Sequence, residues 1–376
     1  MIDRVSSSAG RATDLTGSAR LLLVLLVVPL LACSADSVSQ RADARNAAHA
    51  PTPLASWNDG PAKSAILDFV HRVSSAGGPD FVPPGERIAV FDNDGTLWVE
   101  QPVYTQFAFA LDRVRALAPR HPEWQEKQPF KGVLEGNADP AAMGEARITE
   151  LVAATHAGIS TESFARTVRA WIETARHPHF DRPYTDLVYQ PMLELLDLLR
   201  ARGFTCFVVT GGGADFVRPW AEAVYGIPPE RIVGSRASVR YELRDGTPTL
   251  LRLPAIDLVD DGAGKPVGIH QQIGRRPILA VGNSDGDFEM LEWTTAGPGL
   301  RLGLIVHHTD GIREWAYDRN THVGRLTRAL AVAPERGWVI VDMARDWKEI
   351  FTFDATQRGG SEAGSTEQRR APSGGR

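Results

Sequence analysis

Two carboxylates one residue apart, Asp92 and Asp94, follow directly on the apolar run Arg87-Ile88-Ala89-Val90-Phe91 and precede Gly95. Hard oxygen donors at the end of a buried strand can hold a divalent cation, and such carboxylates can attack an electrophile or exchange a proton. Asn, Asp and Gly are also ordinary turn formers, so this segment alone suits a polar turn equally well. Two further segments of the same kind tip the balance. Thr205-Cys206-Phe207-Val208-Val209 runs into Thr210-Gly211-Gly212-Gly213, a hydroxyl followed by glycines whose backbone N–H groups can approach an anion. The run Pro277–Val281 (PILAV) ends in Gly282-Asn283-Ser284-Asp285-Gly286-Asp287, again rich in oxygen. Between them, Lys265 in Gly262-Ala263-Gly264-Lys265-Pro266 is a candidate counter-charge. A lone lysine is ordinarily solvated, and Lys265 draws its role only from the acid, hydroxyl and acid at three neighbouring strand ends.

For those loops to meet, the runs before them must be strands of one sheet. Each run is short and nearly continuous in apolar residues, the pattern of a strand buried on both faces, and Leu302–Val306 (LGLIV) adds a fourth. Ile66, Leu67, Phe69, Val70 and Val73 predict a helix over Ala62–Ser75, stopped by Pro79 and Pro83-Pro84. A leucine-rich helix from about Pro191 to Gly203 precedes the second strand. The alternation predicts an α/β fold, a Rossmann-like three-layer core with a parallel sheet. Two inserts break it. Between Trp98 and Gln190 there are helical stretches at Gln106–Leu117, Met143–Ala157 and Thr161–Thr174, expected as a helical subdomain over the sheet's carboxyl edge. From Arg236 to Leu253, Val239, Tyr241, Leu243, Leu250, Leu251 and Leu253 flank Asp245-Gly246 and predict a β-hairpin.

The chain has 376 residues, 43% hydrophobic and 23% charged, enough for one large core or two smaller ones. A net charge of −5 gives no electrostatic case for binding nucleic acid, so a small-molecule partner is expected. Of the two cysteines, Cys206 lies inside an expected strand and Cys33 follows the apolar run Leu21–Leu31. That run is too short to span a bilayer of roughly 30 Å at about 1.5 Å per residue and reads as an export signal. The expected organisation is a signal segment 1–33, a linker 34–61, a catalytic core of 62–97 and 191–354, the helical insert 98–190 and a disordered tail 355–376.

Leu30-Leu31-Ala32-Cys33 resembles the lipobox of bacterial lipoproteins, which implies a lipid anchor at Cys33 as the sole membrane attachment and a periplasmic or cell-envelope location. FDNDGTLW, VVTGGG, the isolated Lys265 and GNSDGDFEM, in this order, resemble the four signature motifs of the haloacid dehalogenase superfamily, in particular its phosphoserine-phosphatase-like phosphatases with a helical cap. The resemblance implies that Asp92 is the nucleophile and Asp94 the acid and base, while Thr210 and Lys265 orient and neutralise the phosphoryl group. It further implies Mg²⁺ held by Asp92, the backbone carbonyl of Asp94 and the fourth motif. Related phosphatases mostly have an aspartate in place of Asn283, so the direct ligand there is either Asn283 or Asp285, with Asp287 in support.

Gly211 and Gly212, with Trp98 and Glu100 just past the first motif, are the expected substrate contacts. Gln101, Tyr104, Arg113, Trp124, Arg147 and His179 are weaker candidates, and His307-His308 lies at a strand end without a metal role assigned. A dehalogenase would lack the second aspartate, so Asp94 favours a phosphatase acting on a small phosphomonoester. A phosphorylcholine-type envelope phosphatase and a non-catalytic envelope phosphate-binding protein on the same fold are the alternatives. No protein partner is implied.

Overall fold

Strand β1 (Ile88–Phe91) is buried along its whole length, and its alternate residues feed two different cores. Ala89 and Phe91 pack with Ile66, Val70, Leu195 and Leu199 on one face, whereas Ile88 and Val90 pack with Ile269, Phe288 and Ala329 on the other. Side chains alternate along a strand, and both faces here are covered by helices, so no position of the run is left for a polar residue. Each such aliphatic side chain taken from water stabilises the fold by about 1.5–3 kcal/mol.

The computed structural model describes residues 53–138 and 140–354. The expected export signal with Cys33, the expected linker as far as residue 52 and the expected tail from 355 lie outside the described residues. Among the described residues, no helix is long and apolar enough to cross a membrane.

Strands β2 (Thr205–Gly213), β3 (Ile232–Arg244), β4 (Thr247–Leu258), β5 (Leu279–Gly282), β6 (Leu302–His307) and β7 (Val339–Asp342) complete a seven-stranded sheet ordered β4-β3-β2-β1-β5-β6-β7. Every neighbouring pair is parallel except β3 with β4. The α/β reading from the sequence is therefore met. The order runs outward from β1 on one side and from β5 on the other, which makes the crevice between them a topological switch point where ligands bind in open α/β sheets. Phe91 is in register with Val208 and Val281, so the loops after β1, β2 and β5 emerge together at one edge.

The hairpin differs from expectation in extent. Its turn is at Asp245 and Gly246, both with positive φ as a two-residue hairpin turn requires. Its first arm begins earlier, however: residues 232–235 pair in parallel with β2 before the chain turns into the antiparallel arm. Strand β7, at the edge of the sheet, was not expected.

Residues 53–60 correct the linker expectation. Leu54 and Trp57 are buried; the Trp57 indole N–H donates to the Pro191 carbonyl at 2.9 Å, and its ring meets Trp347 edge-on. Two anchor residues were enough to pack a segment that has no apolar periodicity.

The insert after β1 carries helices Thr105–Leu117, Phe130–Leu134, Pro140–Met143, Glu145–His156 and Thr161–Ile172. Phe107, Val114, Trp124, Phe130, Val133 and Leu151 form a cluster of their own, while Phe109, Phe164, Val168 and Ile172 join the main core. Arg252 of β4 ties the parts together. Its Nε donates to the His156 carbonyl at 3.0 Å, its guanidinium pairs with Asp215, and it lies over the Phe164 ring at 4.2 Å.

Candidate active site

Lys265 stands in the first turn of the helix Gly264–Ile273, only 2% exposed. Its Nζ donates to Asp92 Oδ1 and to Asp287 Oδ1, both at 2.6 Å, and to the Val209 carbonyl at 3.1 Å. One ammonium thus joins the ends of β1, β2 and the loop after β5. Burial alone would depress its pKa, but the two carboxylates outweigh burial and hold it above the ordinary lysine range. Asp92 is raised well above the usual carboxylate range, by burial first and by the like charge of Asp287 next, against the pull of Lys265.

Asp94 is partly exposed and sits across from the glycine loop: a Cβ on Gly212 would lie 3.9 Å from Asp94 Oδ2. Burial raises its pKa to about 6, opposed chiefly by the Trp98 indole N–H, which donates to Asp94 Oδ1 at 2.9 Å. Trp98 therefore corrects an expectation. It is fully buried, stacked on Trp220 with ring centres 4.4 Å apart, and contacts the acid rather than a substrate.

Thr210 Oγ1 accepts from Gly212 N at 3.0 Å, and Gly213 N donates to Gln106 Oε1 at 2.7 Å. Gly212 thus lies between the Thr210 hydroxyl and Asp94, a Cβ built on it falling 3.2 Å from Thr210 Oγ1 and 3.9 Å from Asp94 Oδ2. Gln106, on the insert, was missed: a single glutamine on a helix carries no sequence signal.

The fourth motif divides its acids. Asp287 spends Oδ1 on Lys265, and its Oδ2 accepts from the backbone N–H groups of Asn283 and Ser284 at 2.9 and 3.0 Å. Asp285 Oδ1 accepts from Thr327 N and Ala329 N, both at 3.0 Å, at the start of the helix Arg328–Arg336. Both aspartates were candidate cation ligands; the structure gives Asp285 to a helix start and Asp287 to the lysine and its own loop. Asn283 is buried, with Oδ1 accepting from Thr96 Oγ1 of the first motif at 3.2 Å.

Glu100 is buried beside it. Asn283 Nδ2 and the Tyr317 hydroxyl both donate to Glu100 Oε1, at 2.6 and 2.7 Å. Burial pushes this carboxyl well above its usual range, against those hydrogen bonds. His308 is buried below, its ring nitrogens 2.8 Å from the Gly95 carbonyl and 3.1 Å from Glu314 Oε2, and so braces the backbone of the first motif. Tyr225 donates to Asn93 Oδ1 at 3.0 Å from beneath.

The weaker candidates are dispersed. Trp124 is packed between His121 and Phe130, Arg147 and His179 are exposed, and Gln101 and Tyr104 bond to the segment 321–324. Arg113 is a partly buried residue of the insert, its pKa lowered by burial.

The charge balance fits a cation. Asp92 and Asp287 share the Lys265 ammonium while the charges of Asp94 and Asp92 act on Glu100, and gathering like charges away from water is costly without a counter-ion. Among the described residues, no group of three or more His, Cys, Asp or Glu side chains is arranged as a metal cage. The donors that could hold a cation are instead the mixed oxygens the resemblance names, Asp92, the main-chain carbonyl of Asp94 and the amide oxygen of Asn283, a hard set of the kind that suits Mg²⁺.

A family model described as haloacid dehalogenase-like hydrolase matches residues 89–292. Among solved structures, the chain is similar to a conserved protein of unknown function from Anaerococcus prevotii DSM 20548, at 18% identity over 66% of this chain and 85% of that one, with a TM-score of 0.44. A protein of unknown function from Bordetella pertussis Tohama I is similar at 17% identity, 69% and 99% coverage and a TM-score of 0.42. A phosphoserine phosphohydrolase-like protein from Francisella tularensis subsp. tularensis SCHU S4 follows at 13%, 60% and 89%, and 0.32. No curated protein matches significantly.

Proposed function

The chain belongs to the haloacid dehalogenase-like hydrolases, and from that premise we propose that it is a Mg²⁺-dependent phosphatase acting on a small phosphomonoester through an aspartyl-phosphate on Asp92. The observation that carries this reading is Asp94, a carboxyl raised to about 6 and facing the glycine loop. Expelling an alkoxide from phosphorus calls for a proton donor, whereas expelling halide from carbon does not.

In the first half-reaction the Asp92 oxygen not held by Lys265 bonds to phosphorus in line with the ester oxygen. The phosphorus–oxygen ester bond breaks, and the leaving oxygen takes the proton of Asp94. In the second, water attacks the same phosphorus, Asp94 takes a proton from that water, and the bond to Asp92 breaks to release phosphate. Lys265, the Thr210 hydroxyl and the N–H groups of the glycine loop neutralise the oxygens that gain charge. When bound, the cation supplies further positive charge at those oxygens.

Phosphate release from O-phosphoserine, phosphorylcholine and p-nitrophenyl phosphate, each with and without EDTA, tests the reading. Turnover that EDTA abolishes and Asp92→Asn lacks is the expected result. Tight binding of phosphate and Mg²⁺ without turnover on any ester would mean a binding protein, and hydrolysis retained by Asp92→Asn would remove the covalent route.

Export and lipid attachment at Cys33 belong to the same proposal. Labelling of the full chain with palmitate, lost in Cys33→Ala, is the expected result.

A further inference from the structure

A neutral amide at position 283 leaves the cation site short of charge, because Asp92 already shares one oxygen with Lys265. Glu100 lies at that point. Its Oε1 is 2.6 Å from Asn283 Nδ2, and among the described residues it has no lysine, arginine or histidine partner. The space it fills is built for it. Gly95 and Gly324 both have positive φ, and a Cβ on either would collide with Glu100 Oε1. The Tyr317 hydroxyl holds the same oxygen from a third side at 2.7 Å.

A cation bound beside Glu100 would offset the burial that raises its carboxyl, and an ionised carboxylate only accepts hydrogen bonds, so it takes the NH₂ end of the amide and leaves the oxygen of Asn283 turned the other way, toward Thr96. We propose that Glu100 is the anchor of the cation site, fixing Asn283 with its oxygen toward the metal and supplying the negative charge that residue 283 does not carry. Asn283 and Glu100 thus divide between them what a single aspartate would do. Glu100 is a positioning residue in this account, not a ligand for the substrate. The inference rests on the reading of the site as one that uses Mg²⁺.

Calorimetric titration of Mg²⁺ into the metal-stripped full chain, without substrate, tests it. Glu100→Gln keeps shape and volume, and the expected result is about 10- to 100-fold weaker Mg²⁺ binding, the usual cost of losing an outer partner of a metal ligand. Asn283→Asp alone sets two carboxylates in contact and should lower the unfolding temperature of the metal-free chain. The double variant Glu100→Gln with Asn283→Asp restores one charge and one hydrogen bond with donor and acceptor exchanged, and should recover most of the lost affinity. Unchanged Mg²⁺ affinity in Glu100→Gln, or a double variant no tighter than Glu100→Gln, would overturn the inference alone. Failure of the wild-type chain to bind Mg²⁺ would overturn the cation reading and this inference with it.

Discussion

The indole nitrogen of Trp98 lies 2.9 Å from Oδ1 of Asp94, while the same ring stacks on Trp220. One face of the tryptophan is thus committed to the core and its polar edge to the acid. Trp98→Phe keeps much of the stacking and removes the N–H. Losing one hydrogen bond of about 1.4 kcal/mol should lower kcat for an alkyl phosphate about tenfold and leave KM nearly unchanged. Because the N–H favours the ionised form, the pKa of Asp94 should rise above about 6 in the variant, moving the alkaline limb of the pH profile upward. A raised KM with unaltered kcat would return Trp98 to the substrate.

Asp94→Asn should slow alkyl phosphates by about 10²- to 10⁴-fold, the range for a lost general acid. Aryl esters such as p-nitrophenyl phosphate, whose leaving group needs no proton, should lose much less in the first half-reaction. Burst kinetics separate the two half-reactions, and equal losses in phosphorylation rate for both ester classes would deny Asp94 the acid role.

Lys265→Met removes the ammonium that pairs with both Asp92 and Asp287 and leaves two carboxylates buried without it. Breaking a buried pair in this way costs about 3–5 kcal/mol. Urea unfolding should show that loss, and Asp287→Asn added to Lys265→Met should regain part of it by removing one of the stranded charges. A midpoint unaffected by Lys265→Met would mean that the network does not carry stability.

Asp260, fully buried, finds no hydrogen-bond partner for either carboxyl oxygen among the described residues. Burial raises it from an ordinary 3.8 to about 7, against the pull of Lys265 and Arg236. Between those two values the folded chain keeps a proton that the unfolded chain has lost, so this group makes stability fall as pH rises from about 4 to about 7 and level off above. Asp260→Asn should lack that fall and be more stable than wild type at pH 8. Denaturation midpoints at pH 5 and pH 8 decide it; the same pH difference in both proteins would exclude Asp260 as its source.

The strands that carry the site were legible because their signal is local. Residues 88–91, 205–209 and 302–306 are short apolar runs, and each lies in an observed strand. Strand β7 was not read, although Trp338-Val339-Ile340-Val341 is an apolar run of the same kind. The folded segment at 53–60 was hidden, its place resting on Leu54 and Trp57 alone. Lys265 was readable only by its position between motifs, and it is the residue that joins three strand ends. Gln106, Tyr225 and Tyr317 left no trace in the sequence, because one hydroxyl or amide on an ordinary helix or loop looks like any other.

The sequence by itself determined which loops hold the chemistry. Asp92, Asp94, Thr210 and Asn283 stand at or just past the ends of apolar strands, and a strand buried on both faces must deliver its first polar residues to the sheet edge. Only the tertiary structure decided what each acid does there. Asp285 turns to a helix start, Asp287 to Lys265, and Glu100 to Asn283 and Tyr317, partners 183 and 217 residues away along the chain. A carboxylate's role follows from the donors that reach it, and donors so distant in sequence are brought within 3 Å only by the packing of the whole fold.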